Sequence, residues 1–350
     1  MLGHSAVSDQ CVPHQMDTIV PKGTAANPSY VIQSIAAMLL PCGAGVALGY
    51  GTGLFGNEEL VGIIIGTLFA WLAYRNRWMI LGATGVLASM AAVALCQPAY
   101  RGSHRWITLF GDVHWNVALP LMAVAAIGMT GFRKTSALSI VVGTCTISLL
   151  LIKAFTVVGL VLCSGQPLWT SLWRSRWRGV VVLLPVLLGI AILREENRRE
   201  RLIEYWTQSS YHSRQIRRSL FEIKWFGPPE GTEVRVPAVR TDLALLHVAR
   251  TRGAFFAILE IACFIPFVQL GLKGGLFGSS AACRLILCAF VGHCAVCMSI
   301  LPTVGMPAPF IGAGGTQWMS FAILLTWLLM EEGFLVANKA SPTHQRNSSL

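Results

Sequence analysis

Charge is scarce in this sequence. Asp, Glu, Lys and Arg make up 12% of its 350 residues, against about 25% in an ordinary soluble domain. Hydrophobic residues make up 54%, and the mean hydropathy is +0.60. So few charges cannot coat a water-facing surface of this size, which excludes a soluble globular domain. Strand-like alternation of apolar and polar residues is also missing, so a closed membrane barrel is not expected. Within lipid each backbone amide must be bonded inside the structure, and a helix meets that demand within one segment. The expected fold class is therefore all-α, a polytopic helical membrane protein. There is no internal repeat and no low-complexity tract. The stretch Met1 to Pro28 is polar and lacks a short charged start with a cleavage site, so it does not read as a cleaved signal peptide. The first span is expected to act as the insertion signal.

A disulfide framework is lacking too. Of the 10 cysteines, all but Cys11 lie in or beside apolar blocks. Cys294 and Cys297 have the C-x-x-C spacing of redox and metal motifs. They sit inside the apolar run Leu285 to Leu301 with no second pair nearby, and buried inert thiols are the expectation. No set of residues reads as a metal site.

What is present is a series of apolar blocks: Tyr30 to Gly51, Leu60 to Tyr74, Trp78 to Cys96, Val117 to Thr130, Ala137 to Cys163, Val180 to Leu193, Ala254 to Leu272, Ala282 to Leu301 and Trp318 to Leu335. A block of about 20 residues crosses about 30 Å of hydrocarbon as a helix. The expected organisation is a polar cytoplasmic N-terminus over 1–29, one membrane domain over 30–336 and a cytoplasmic tail over 337–350.

The net charge of +11 suits anionic lipid headgroups or a phosphate-bearing substrate, and equally the ordinary basic bias of cytoplasmic loops. Two polar stretches stand out. Gln97 to Asn116 contains Arg101, His104, Arg105 and Trp106. Arg194 to Arg252 is long and rich in arginine. Within it Ile216, Leu220 and Ile223 share one helical face and Arg214, Arg217 and Arg218 another, which predicts an amphipathic helix at the membrane surface, ended by Gly227-Pro228-Pro229. Arg75, Arg77, Arg133, Lys134, Arg174, Arg176 and Arg178 read as cytoplasmic. For that to hold on both sides of Ala137 to Cys163, this block must cross twice, with a turn at Lys153. A single crossing would instead place the arginine loop in the cytoplasm.

At Val236-Pro237-Ala238-Val239-Arg240-Thr241-Asp242-Leu243 the sequence resembles the "LPE-x-H-T-D-F" segment of the FtsW/RodA/SpoVE (SEDS) family, with Gly253 also at the family spacing. Leu301 to Thr316 resembles that family's "LP-T-x-G-I-P-L-P-F-x-S-Y-G-G-S". Gly102 to Ile107 resembles "G-A-x-R-W-I", Gln215 to Ile223 resembles "Y-Q-x-x-Q-S-L-x-A-I", and Arg201 to Tyr205 the "R-x-x-R-I" stretch. The sequence departs from the family pattern elsewhere. Asp112 to Asn116 stands in place of "Q-P-S-E", Lys153-Ala154-Phe155 in place of "Q-P-D-L-G", and Arg250 and Thr251 in place of two glutamates. Gly312-Ala313 replaces Ser-Tyr, and His293 an asparagine.

The resemblance implies about ten spans, two short crossings within 137–163, and 194–252 as a large extracytoplasmic loop before the last three spans. It also implies a peptidoglycan glycosyltransferase that polymerises lipid II at the outer face of the bacterial inner membrane. The partner so implied is a class B penicillin-binding protein acting as transpeptidase. No nucleic-acid partner is indicated.

Glycan extension needs a proton acceptor for the attacking hydroxyl, and a carboxylate suits that task. Asp242 is the only acid between Glu233 and Glu260 and matches the family's catalytic aspartate. A Thr-Asp pair at a helix start also reads as an N-cap. The leaving pyrophosphate calls for forked guanidinium donors. Arg105, Arg214, Arg218 and Arg240 are the candidates, with Thr241 beside the acid and Trp106 to stack on a sugar or anchor its loop. Pro302, Thr303, Gly305, Pro307, Pro309, Gly314 and Gly315 are expected to shape the substrate cavity. No cofactor is called for, and a divalent cation is compatible with pyrophosphate chemistry. His293 reads as a packed, hydrogen-bonded histidine. Glu260 and Arg284 are expected to face the interior, as a pair. Two other functions remain open: a catalytically degenerate scaffold for cell-wall synthesis proteins, and a transporter or flippase of an anionic lipid-linked precursor.

Overall fold

The computed structural model describes residues 28–98, 104–108, 114–132, 135–165, 189–190, 193–194, 196–207, 211–228, 240, 242–272, 280–302 and 305–340. The described elements are α1 (Pro28–Thr52), α2 (Asn57–Arg75), α3 (Trp78–Cys96), β1 (Trp106–Thr108), β2 (His114–Asn116), α4 (Ala118–Gly131), α5 (Thr135–Leu151), α6 (Phe155–Ser164), α7 (Glu196–Trp206), α8 (Tyr211–Phe221), α9 (Ala244–Arg252), α10 (Ala254–Leu272), α11 (Ala281–Cys297) and α12 (Gly315–Ala340). Three helices, over Ile32–Thr52, Trp78–Cys96 and Ala254–Leu272, are long and apolar enough to cross a membrane, and four shorter apolar helices accompany them.

The distribution of side chains explains the apolar excess. In α2 the buried face is Glu59, Gly62, Gly66, Ala70 and Ala73, while Leu60, Val61, Ile64, Ile65 and Leu68 are exposed. Water would drive the large residues inward. In lipid, tails are as apolar as leucine, and helices associate instead through small residues that let backbones approach. The partner is α12. A Cβ on Gly62 would stand 2.2 Å from the Gly315 carbonyl oxygen and one on Gly66 2.3 Å from that of Met319. At the centre lies α4, every residue of which from Ala118 to Gly128 is buried. It packs against α3, α5, α6, α11 and α12. A helix apolar on all sides belongs in such a position.

The apolar block over 137–163 is broken where the sequence suggests. Lys153 has a left-handed backbone, φ 57, and Ala154 donates back to the Leu149 carbonyl at 2.8 Å. The result is two helices, α5 and α6. The amphipathic helix α8 also forms, with Ile216 buried and Arg214 and Arg218 exposed. It ends at Phe221, earlier than Gly227-Pro228-Pro229 suggests. Beyond it, residues 224–227 leave the helix to pair with the junction of α9 and α10. Ala254 donates to the Lys224 carbonyl at 2.8 Å and Gly227 to that of Arg252 at 2.9 Å.

Candidate active site

Three chain segments meet at the candidate site. The first is the β1–β2 hairpin, in which Trp106 pairs with Asn116 and Thr108 with His114. Gln97, just past α3, braces it with a two-way bond. Thr108 donates to Gln97 Oε1 at 2.8 Å, and Gln97 Nε2 donates to the Thr108 carbonyl at 3.2 Å. The Arg105 carbonyl accepts from Val117 at 3.0 Å, fixing the backbone from which this guanidinium extends. Its carbon lies 5.7 Å from the Trp106 ring centroid, at the outer limit of a cation–π contact.

The second segment opens α9. Its N-cap position is Leu243, with no side-chain cap bond, and Asp242 stands one residue before it. Asp242 is half-buried. At the far end of α9, Gly253 has φ 108, and a Cβ there would stand 2.4 Å from the Trp225 carbonyl. That double constraint accounts for a glycine at this position of the motif.

The third segment is the loop before α12, buried from Met306 to Gly312, with Pro307 and Pro309 inside it and Pro302 half-buried at its start. Backbone buried without regular structure needs partners. Gln317 Nε2 donates to the Ala308 and Ile311 carbonyls at 2.5 Å and 2.9 Å, and Trp318 Nε1 to Gly312 at 3.0 Å. Ala313 donates to the Arg240 carbonyl at 3.0 Å. Glu59 anchors the end of the loop, accepting from Gly314 at 2.7 Å and from Gly56 at 2.9 Å. Phe310 has φ 58 and is held by rings, its centroid 6.1 Å from Phe264 and 5.8 Å from Phe321.

Gly305 is where the three segments meet. A Cβ built on it would stand 3.3 Å from Arg105 Nη1 and 3.5 Å from Asp242 Oδ2. A carboxyl group and a guanidinium thus share one seat, with Trp106 next to the guanidinium.

The remaining basic residues divide. The Arg240 guanidinium donates to the Gly53 carbonyl at 3.4 Å. Arg252 Nε donates to Gly51 at 3.0 Å, and His247 Nε2 to Thr52 at 3.3 Å. Three side chains from 240–252 therefore cap the carbonyl end of α1, where the helix dipole favours cations. Burial pushes the His247 pKa down, with Arg240 and Arg250 adding to the effect against the bond to Thr52. Arg214 and Arg218 belong to α8, where Arg218 pairs with Glu222 at 2.9 Å. Thr241 and Thr303 lie outside the described residues. Glu260 and Arg284 do not pair. Arg284 Nε donates to the Ser164 carbonyl at 2.9 Å, whereas neither carboxylate oxygen of the fully buried Glu260 has a hydrogen-bond partner among the described residues. Among the described residues no three His, Cys, Asp or Glu side chains are grouped to hold a metal ion. Sequence reasoning missed Glu59, Gln97 and the capping by His247 and Arg252. An acid three residues after Gly56 at a helix start was the one available signal.

These features define a helical membrane protein with a carboxylate–guanidinium site over a buried irregular loop. No family model matches the chain. It is 25% identical over 279 residues to a protein of Marinobacter nauticus named "Probable peptidoglycan glycosyltransferase FtsW", covering 70% of each chain. A relative of the same name from Alkalilimnicola ehrlichii is 28% identical over 201 residues, which are 51% of this chain and 48% of that one. Among solved structures, a chain from a peptidoglycan synthase complex that coordinates polymerization and crosslinking superposes with a TM-score of 0.60 at 16% identity, covering 89% of this chain and 98% of that one. The rod shape determining protein RodA of Thermus thermophilus gives 0.52 at 14% identity, covering 88% and 97%. The chain thus shares its fold with these solved structures and resembles the FtsW relatives in sequence.

Proposed function

We propose that this protein is a peptidoglycan glycosyltransferase that polymerises lipid II at the outer face of the bacterial inner membrane. The observation that carries the reading is the convergence of Asp242 and Arg105 on Gly305, in a chain with relatives named "Probable peptidoglycan glycosyltransferase FtsW". The acceptor hydroxyl oxygen attacks the anomeric carbon of the lipid-linked sugar, and its proton passes to an Asp242 oxygen. The bond from that carbon to the pyrophosphate breaks, and the negative charge moves onto the departing phosphates. Arg105 offsets this charge through forked hydrogen bonds, while Trp106 offers a flat face to a sugar ring.

In this orientation 194–252 is extracytoplasmic, α5 and α6 form the two short crossings, and both chain ends are cytoplasmic. The structural neighbour drawn from a synthase complex supports a membrane-anchored transpeptidase as partner, in division or elongation.

Purified protein given labelled lipid II is expected to make polymer, and Asp242→Ala to make none. Equal polymer from the two would remove Asp242 from the reaction. The scaffold reading draws on Arg250 and Thr251, which replace two family glutamates. Thr251 spends its hydroxyl on its own helix, donating to the His247 carbonyl at 2.8 Å. Cells that divide normally with Asp242→Ala but fail on deletion would favour the scaffold.

A further inference from the structure

His293 lies inside α11 with no exposed surface, and its two ring nitrogens reach different elements. Nδ1 is 3.1 Å from the Met306 carbonyl oxygen in the buried loop. Nε2 is 3.4 Å from the backbone nitrogen of Leu245, in the first turn of α9, and 3.4 Å from Cys297 Sγ. A carbonyl only accepts, so Nδ1 carries the ring hydrogen. Nε2 is then the acceptor, and the Leu245 amide and the thiol donate to it. The opposite tautomer would set a lone pair against the Met306 carbonyl and an N–H against the Leu245 N–H.

The two partners are telling. Leu245 follows Asp242 by three residues, and its amide is among those at a helix start that have no acceptor within their own helix. The N-cap residue Leu243 makes no side-chain cap bond, and the ring of His293 gives the Leu245 amide an acceptor from another helix. Met306 follows Gly305, the residue against which Asp242 and Arg105 converge. One rigid ring therefore spans the segment that carries the acid and the segment that forms its seat.

We propose that His293 is a positioning residue: it fixes the start of α9 relative to the Gly305 loop and so sets where the Asp242 carboxylate stands against Arg105. The proposal rests on the glycosyl-transfer reading and names a residue that serves the same site from behind. His293→Leu fills similar volume and removes both bonds. His293→Asn keeps a donor for Met306 and brings an acceptor toward Leu245 on a shorter stem.

The test uses the full-length protein in detergent or nanodiscs and has two readouts. In hydrogen exchange, peptides spanning Leu245 are expected to exchange faster in His293→Leu than in wild type, with His293→Asn between them. In polymerisation of labelled lipid II, His293→Leu is expected to lose about a hundredfold in kcat, the scale of an ångström's misplacement. Its KM should stay within about twofold, and Asn should restore most of the rate. Where His293→Leu does not fold, His293→Asn carries the test alone, with faster exchange at Leu245 and a lower kcat expected together. Unchanged exchange overturns the bridge, and faster exchange with unchanged kcat overturns the positioning role. If wild type makes no polymer, the glycosyltransferase reading fails. The exchange result then still decides whether His293 ties the two segments.

Discussion

Gly305 shows how much rests on a missing side chain. Its φ of 63 lies in the left-handed region, which costs a residue bearing a Cβ roughly 1–2 kcal/mol. The added methyl would also crowd Arg105 Nη1 at 3.3 Å, while meeting Asp242 Oδ2 in ordinary contact at 3.5 Å. Gly305→Ala is therefore expected to lower stability by about 1–2 kcal/mol in thermal unfolding and, under the proposed reaction, to reduce polymer yield more than that loss explains, because the methyl displaces the tip of Arg105. Glu260 presents the opposite case, a group with too little around it. Its carboxylate is fully buried without a hydrogen-bond partner among the described residues, an arrangement that costs on the order of 1–3 kcal/mol. Glu260→Leu is expected to raise the unfolding temperature of the purified protein, and a fall would show that the acid has a stabilising partner.

At the level of elements, the pairing of α2 with α12 depends on a glycine ladder. Gly66→Val would drive a branched side chain into the Met319 backbone, and overpacking of this kind costs about 1–3 kcal/mol. Loss of monodisperse protein on size-exclusion chromatography is expected. Gly82→Ala in α3 is the control, since a Cβ there meets nothing within 4 Å; it should behave as wild type. The glycine ladder was not legible in the sequence, but the helices themselves were, because their signals are local. Apolar blocks fixed the helices, and Lys153 interrupted one of them. Gly253 and Gly305 fell at motif positions whose backbone φ requires glycine. What was not legible depends on contacts between distant residues. Glu59 bonds Gly314 from 255 positions away, and nothing near Glu59 in the chain announces that partner. The end of α8 was misplaced because the turn at Gly227 looks like a helix stop. In fact the chain leaves the helix earlier, to make backbone bonds near Gly253. A Glu260–Arg284 pair was a plausible economy for two costly groups, yet Arg284 found a carbonyl at the end of α6 instead.

Across the whole molecule, the first helix and the acid-bearing segment are joined through charge. His247 donates to Thr52 and is held below its ordinary pKa by burial and by neighbouring arginines. In the unfolded chain it titrates near 6.5, so the folded form binds a proton less readily. The stability it contributes is fully present above that value and is lost as pH falls from 6.5 toward the lower folded pKa. Thermal unfolding scanned from pH 8 to pH 5 should show this decline, and His247→Gln should flatten it. An equal slope in the variant would assign the effect to other groups. The helical architecture was thus readable from composition and motif, whereas bonds such as Glu59 to Gly314 and Leu245 to His293 emerged only from tertiary contacts.

The capped end of α1 has a mechanical meaning. Gly51, Thr52 and Gly53 are gripped by Arg252, His247 and Arg240, which bracket Asp242 on both sides in the chain. A tilt or piston movement of α1 would pull on that bracket directly, so under the proposed reaction a neighbour leaning on α1 would throttle turnover without touching the substrate.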